Sequence, residues 1–183
     1  MQALKDMKNK ATSAVAGRAW SDYLDYATYC QGLGVPLYLL AFFTPNWRVF
    51  PQENANAGLF QECNKDGCEG SFALGSLWRD MFSYSTLSFL CYVLSCGLMP
   101  AYLTNEHCRN RFWLKGGLVL ILGGFAFSTL TWWVWEAFKQ RNKDEATWKS
   151  SEMGWSFYVF VGGSVMFLGA GICVALDLNE NKS

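Results

Sequence analysis

The stretch Leu118–Trp135 reads LVLILGGFAFSTLTWWVW and contains no charged residue. A helix on a soluble protein would carry a polar face with a period of about 3.6 residues, and this stretch has none. A run of about 20 mostly apolar residues is long enough to cross a bilayer, and only a helix or a closed barrel satisfies its backbone there. The stretch therefore predicts a membrane helix and disfavours the alternative, a soluble helical bundle with a large core.

Three more runs share this character. The spans are expected at about Tyr26–Phe43, Phe82–Leu103, Phe112–Val134 and Gly154–Leu176. Lys115 is the one charge inside them, close enough to a span end to reach the headgroups. Tyr and Trp gather at the span ends, as expected at headgroup depth. The sequence predicts an all-α membrane protein with four spans in one domain, 1–183, with an N-terminal segment 1–22 and outer loops at about 44–81 and 136–153.

The composition excludes several classes of function. The 183 residues carry no net charge, so nothing points to nucleic acid, and charged residues make up only 16%, below the roughly 25% of soluble domains. There is one His, and no GxSxG, HExxH or P-loop motif occurs. We expect no enzyme activity, no cofactor, no metal and no small-molecule substrate; the expected partners are the lipid bilayer and other membrane proteins.

The orientation depends on the cysteines. With the termini inside, the basic residues divide eight inside and seven outside, which decides little. Cys63 and Cys68 share the first outer loop, and the Asp66-Gly67 pair favours a turn between them. A disulfide there needs an oxidising compartment, whereas a metal site would need two more ligands. We therefore expect this loop outside and both termini in the cytoplasm. The sequence Asn181-Lys182-Ser183 fits the acceptor pattern for N-glycosylation, but it would then also be cytoplasmic.

Some features leave alternatives open. Residues 1–22 could form a short helix on the inner leaflet or an unstructured tail. Cys108 and Cys173 lie near the expected inner face, either palmitoylated or as free thiols. Small residues recur on one stripe in span three (Gly117, Gly124, Ser128) and in span four (Gly162, Gly169). Such stripes allow helices to approach closely, and packing within the bundle is favoured over a homo-oligomer face.

The first outer loop has short apolar and polar runs, such as Trp47-Arg48-Val49-Phe50, separated by Pro51, Asn54 and Gly67. This pattern is typical of strands joined by turns. The loop also has an acidic excess, with Glu62, Asp66 and Glu69 near the cysteines. If it lined a pore, these side chains would favour cations. The alternative is an ordinary solvated surface.

The order Trp47, Gly58-Leu59-Phe60, Cys63 and Cys68 resembles the signature of the claudin superfamily, with Phe60 in place of the usual Trp. Arg79 is similar to the arginine that precedes the second span in that family. The sequence Gly154-Trp155-Ser156-Phe157-Tyr158 looks most like the start of span four in calcium-channel gamma subunits and AMPA-receptor regulatory proteins.

The resemblance implies a left-handed four-helix bundle in the plasma membrane, topped by a small antiparallel sheet from both outer loops. Trp47, Gly58, Leu59 and Arg79 would build or anchor the sheet. The residues expected to be exposed for contact with partners are Phe50, Leu59, Phe60, Phe72 and Trp155. The implied function is cell–cell contact, or formation of a paracellular barrier or pore. The alternative is an auxiliary subunit of an ion channel or receptor, which the lack of a hydrophobic C-terminal motif for scaffold binding would also fit.

Overall fold

A computed structural model describes residues 21–51, 53–70, 76–105, 110–141 and 152–180. It contains four helices in these ranges: α1 Asp22–Phe43, α2 Ser76–Thr104, α3 Arg111–Arg141 and α4 Trp155–Glu180. Among the described residues, α2, α3 and α4 are long and apolar enough to cross a membrane. The helix α1 is not in this group, since Gln31 and Pro36 interrupt its apolar stretch.

The helices extend beyond the apolar spans that the sequence marked. The helix α2 begins at Ser76, inside the predicted outer loop, and α3 continues past Val134 to Arg141. Backbone hydrogen bonds can continue a helix past the end of its apolar run. Hydropathy therefore locates the apolar part of a helix better than it locates the first and last helical residues.

The bundle is built from two close helix pairs, α1 with α4 and α2 with α3. At the α1–α4 contact, a Cβ atom on Gly163 would lie 3.2 Å from the Tyr38 backbone nitrogen. At the α2–α3 contact, a Cβ on Gly124 would lie 2.6 Å from the Tyr92 ring. A Cβ on Gly171 would lie 2.9 Å from Ile121, where α3 meets α4. Small residues therefore set the approach of each pair.

The predicted stripes of small residues are only partly the ones that pack. Gly124 and Ser128 lie in the α2–α3 contact, as expected for packing within the bundle. A Cβ on Gly117 or Gly162 would meet nothing within 4 Å, and one on Gly169 makes an ordinary contact. On α4, Gly169 lies against α1 near the Cys30 sulfur as predicted, whereas at the other position Gly163 rather than Gly162 faces α1.

Buried hydroxyl groups link α2 and α3 inside the bundle. The Ser88 hydroxyl donates to the Gly124 carbonyl at 2.8 Å and lies 2.7 Å from the Ser128 hydroxyl. Ser85 and Thr131 meet at 3.3 Å one turn further along. Ser85 and Thr131 also donate to the Met81 and Phe127 carbonyls. Because all four hydroxyls have hydrogen-bond partners, they can be buried without a large desolvation cost.

A sheet of five strands covers one end of the bundle, in the order β4-β3-β2-β1-β5. The strands are β1 Arg48–Phe50, β2 Ala55–Ala57, β3 Gln61–Asn64, β4 Gly67–Gly70 and β5 Glu152–Met153, and every neighbouring pair is antiparallel. The first four follow α1 and the fifth precedes α4. The small antiparallel sheet from both predicted outer loops is thereby confirmed.

Candidate functional site

Trp47 fixes the sheet to the bundle. Its ring is fully buried, and its indole nitrogen donates a hydrogen bond of 2.7 Å to the Ala41 carbonyl in the last turn of α1. The same ring lies 4.9 Å from the ring of Phe160 in α4. One side chain thus joins the start of β1 to two helices.

Two glycines allow the chain to pass close to this anchor. A Cβ on Gly58 would lie 2.7 Å from the Thr44 carbonyl oxygen, and one on Gly154 would collide with the Asn46 carbonyl. The Gly154 amide donates instead to the Trp47 carbonyl at 3.0 Å. No other residue fits at either position without moving the backbone.

Arg48 is buried beside Trp47, with only 4% of its surface exposed. Its guanidinium carbon lies 5.3 Å from the Trp135 ring centroid and 5.8 Å from that of Phe50. Burial lowers the pKa of Arg48 to about 10, so it remains charged at neutral pH. Because side chains alternate along a strand, Arg48 and Trp47 should lie on opposite faces of the sheet, and the face of Arg48 would be expected to meet solvent. In the structure, Trp135 near the end of α3 covers the face on which Arg48 lies.

The expectation that Leu59 and Phe60 are exposed for partner contacts was wrong, because both pack against the interior. Leu59 is fully buried. The Phe60 ring lies 5.0 Å from that of Phe42 and 5.1 Å from that of Phe82, joining the end of α1 to the start of α2. Phe60 therefore provides an aromatic contact where the resemblance leads one to expect a tryptophan.

Arg79, by contrast, is exposed. The neighbouring Trp78 is the buried member of this turn, and its ring lies 6.2 Å from that of Trp135 in α3. The sequence offered no signal for this pair, because the two tryptophans are far apart in the chain and meet only when α2 and α3 pack.

The β3–β4 hairpin extends from this anchored part and is closed by a disulfide. Cys63 and Cys68 are directly opposite in the register and are joined, as predicted. The Asn64 side-chain oxygen accepts hydrogen bonds from the Asp66 and Gly67 amides at 2.9 and 3.1 Å. Gly67 has φ of +147°, a conformation that favours glycine. The tip is therefore well defined by its own sequence.

The acidic residues lie on this hairpin. Glu62 and Glu69 are opposite each other in the register, and Asp66 is exposed in the turn. Every residue of β4 is exposed, and β4 is an edge strand of the sheet. Like charges placed opposite each other destabilise a strand pair slightly, so the disulfide offsets a repulsion that the side chains create.

The residues expected to contact partners differ in how much of their surface is exposed. Phe50 is only 5% exposed and lies under the Arg48 guanidinium, so little of its surface can reach a partner. Phe72 lies outside the described residues, as does Cys108. Trp155 is 46% exposed at the start of α4.

Trp155 belongs to a rim of exposed aromatic side chains just below the sheet, here called the aromatic rim: Trp132, Trp133, Trp155 and Tyr158. Beside it, a cavity of about 470 Å³ is lined by Thr129, Trp132, Trp133, Glu136 and Gln140. Over the part of the chain that the structure describes, no group of three or more His, Cys, Asp or Glu side chains is placed to hold a metal ion. The exposed hairpin and the aromatic rim are thus two surfaces open to contact.

No protein-family model matches the sequence, and no curated protein matches it. The structure by itself defines a class: a mainly helical protein with three helices of membrane-spanning length and a disulfide-closed antiparallel sheet at one end. That architecture is compatible with a claudin-like fold.

Proposed function

We propose that this chain is a four-span, claudin-like protein of the plasma membrane, with its sheet outside and both termini in the cytoplasm. The fourth span is α1, despite its lower hydropathy. Thr44 at the end of α1 meets Ser156 at the start of α4 with 2.7 Å between their hydroxyl oxygens. Ser21, just before α1, donates to the Asp177 carboxylate near the end of α4. A helix paired with α4 over its whole length crosses the same layer as α4.

The proposed function is contact between membrane proteins through the sheet, in cell–cell adhesion or a paracellular barrier or pore. One observation carries it: the sheet is tied to the bundle at β1, while the acidic β3–β4 hairpin is exposed and ends in a free edge strand. An edge strand offers backbone groups to another chain. Because its carboxylates repel the same edge of another copy, the hairpin would meet a basic surface of the facing copy or bind it through cations.

A cell-mixing experiment tests this proposal. Cells that carry the fluorescent fusion are mixed with cells that lack it, and enrichment is measured at each kind of border. We expect enrichment at borders between two expressing cells, and its loss in the double variant Glu62→Lys, Glu69→Lys. The matched control is Asp25→Lys, which reverses an exposed charge in the first turn of α1, at the other end of the bundle. Even distribution of the unaltered protein over all membranes would contradict adhesion.

The pore version makes a separate prediction for epithelial monolayers. If the hairpin lines a paracellular pore, Glu62→Gln with Glu69→Gln should lower the sodium-to-chloride permeability ratio, because acidic side chains favour cations. Dilution potentials measure this ratio, with Asp25→Asn as the control. An unchanged ratio in the double variant would restrict the protein to adhesion or a barrier.

The alternative function is that of an auxiliary subunit of a channel or receptor, and the aromatic rim favours it. Trp133 is 74% exposed beside the 470 Å³ cavity, where a helix of a larger membrane protein would find a large apolar surface. Purification in mild detergent should then yield a channel at fixed ratio, and Trp133→Ala should reduce that yield. The control Val119→Ala also removes an exposed apolar side chain of α3, closer to the opposite end. Recovery of the protein alone would contradict this alternative.

A further inference from the structure

A second cavity lies at the end of the bundle opposite the sheet, where α3 begins and α4 ends. Its volume is about 340 Å³, and it is lined by Arg111, Lys115, Leu118, Ala175, Leu178 and Asn179. We propose that this cavity binds the headgroup of an anionic phospholipid from the cytoplasmic leaflet. The inference rests on the four-span arrangement proposed above, and on nothing in the sheet.

The charge of the cavity suits a phosphate group. Arg111 and Lys115 are one helical turn apart, so their side chains project on the same side of α3. None of the lining residues in the described part of the chain is acidic. The acids of the last turns of α4 lie toward α1 instead, where Asp177 accepts from Ser21 and Glu180 lies beside Tyr23.

The two basic side chains provide the attraction, rather than the free end of the helix. The Asn110 side-chain oxygen already accepts hydrogen bonds from the Phe112 and Trp113 amides at 2.9 and 3.2 Å. The first turn of α3 is therefore capped by the chain itself. Among the described residues, the polar groups that line the cavity for a ligand are the guanidinium of Arg111, the ammonium of Lys115 and the amide of Asn179.

The depth of the cavity suits a lipid rather than a soluble ion. Phe112 is 77% exposed next to Trp113, and exposed aromatics of this kind sit at headgroup level. Leu118, Ala175 and Leu178 form an apolar wall that an acyl chain can follow. Basic pockets between helices on the cytoplasmic side attract anionic lipids, which are concentrated in that leaflet.

Native mass spectrometry of the full chain in mild detergent tests the proposal. Phosphatidylserine and phosphatidylinositol 4-phosphate are added in separate arms, with phosphatidylcholine as the neutral lipid and inorganic phosphate as the competitor. We expect either anionic lipid to be retained at least about tenfold better than phosphatidylcholine, because two basic side chains contribute. Millimolar inorganic phosphate should not displace the bound lipid.

Three variants separate the cavity from general charge. Arg111→Gln with Lys115→Gln should abolish the preference, whereas Arg111→Lys with Lys115→Arg should keep it. The matched control is Arg79→Gln with Lys65→Gln, two exposed basic residues at the other end of the molecule. The four residues are exposed, so all variants should unfold at the same temperature as the unaltered protein.

Three results would overturn the proposal: an unchanged preference in the double glutamine variant, an equal loss in the control, or displacement by inorganic phosphate. The function proposed above is separately testable, because the cell-mixing and monolayer experiments alter only the hairpin. Loss of border enrichment with intact lipid preference would overturn adhesion and leave this site in place.

Discussion

Gly154 links the sheet to α4, and its lack of a side chain is what lets the two meet. A Cβ there would collide with the Asn46 carbonyl. We expect Gly154→Ala to destabilise the protein by about 3 kcal/mol or more, because backbone must shift to relieve the overlap. Thermal unfolding in detergent measures the effect. Gly162→Ala is the control, since a Cβ there meets nothing within 4 Å; equal losses in both variants would contradict the interpretation.

At the scale of residues, the sequence predicted what depends on local chemistry. The disulfide between Cys63 and Cys68 follows from two cysteines around a turn, and it is present. The burial of Arg48 and Phe50 could not be predicted in this way. Strand alternation assigns one face to solvent, but β1 is an inner strand with helices nearby, and tertiary packing covers both of its faces.

Among the secondary-structure elements, the α2–α3 pair depends on Gly124. A Cβ there would lie 2.6 Å from the Tyr92 ring, which itself stacks on Phe167 with 3.8 Å between centroids. Gly124→Ala should therefore cost about 1–3 kcal/mol, because the stacked ring has little freedom to move. Gly117→Ala, two turns away on the same helix, is the control, since a Cβ there would meet nothing within 4 Å. Unfolding of both variants by denaturant in detergent compares them, and an equally stable Gly124→Ala protein would contradict this assignment.

The hairpin makes a different prediction, because its disulfide closes a short loop on an exposed edge. The double variant Cys63→Ser, Cys68→Ser should lower the free energy of opening the hairpin by about 2 kcal/mol, because the cross-link no longer restricts the unfolded hairpin. The repulsion between Glu62 and Glu69 remains in the variant. Hydrogen exchange should accelerate in residues 61–70 and stay unchanged in β1, which Trp47 anchors. Cys91→Ser, which alters a free thiol in α2, is the control. Equal acceleration in β1 would show that the sheet depends on the disulfide as a whole.

The sequence located the helices better than it located their contacts. Hydropathy identified α2, α3 and α4 because a run without charges is a property of the chain itself. Hydropathy did not distinguish Gly162 from Gly163, because both are glycines in the same apolar run. They differ only in the residues that they pack against. The choice between them depends on the rotation of α4 against α1, which only packing decides.

At the scale of the whole molecule, one feature at each end bears on the orientation in the membrane. The sheet end carries a disulfide and a hairpin with three carboxylates and one lysine. The other end carries the basic cavity of Arg111 and Lys115. A disulfide is stable in an oxidising compartment, which favours the sheet end outside. The basic cavity would then face the anionic inner leaflet, as the lipid proposal requires.

This orientation can be tested by giving the sheet end a glycosylation acceptor. Asp66→Thr places a threonine two residues after Asn64, which is at the exposed hairpin turn. If the sheet faces the lumen during synthesis, the variant should gain mass that an endoglycosidase removes, because the transferase acts only there. Epitope tags at both termini should become accessible to antibody only after the cells are permeabilised. Asn181-Lys182-Ser183 fits the same acceptor pattern and should remain unmodified in the unaltered protein. An exposed N-terminal tag beside a hidden C-terminal tag would mean that α1 does not cross the membrane, and the pairing of α1 with α4 would then need another explanation.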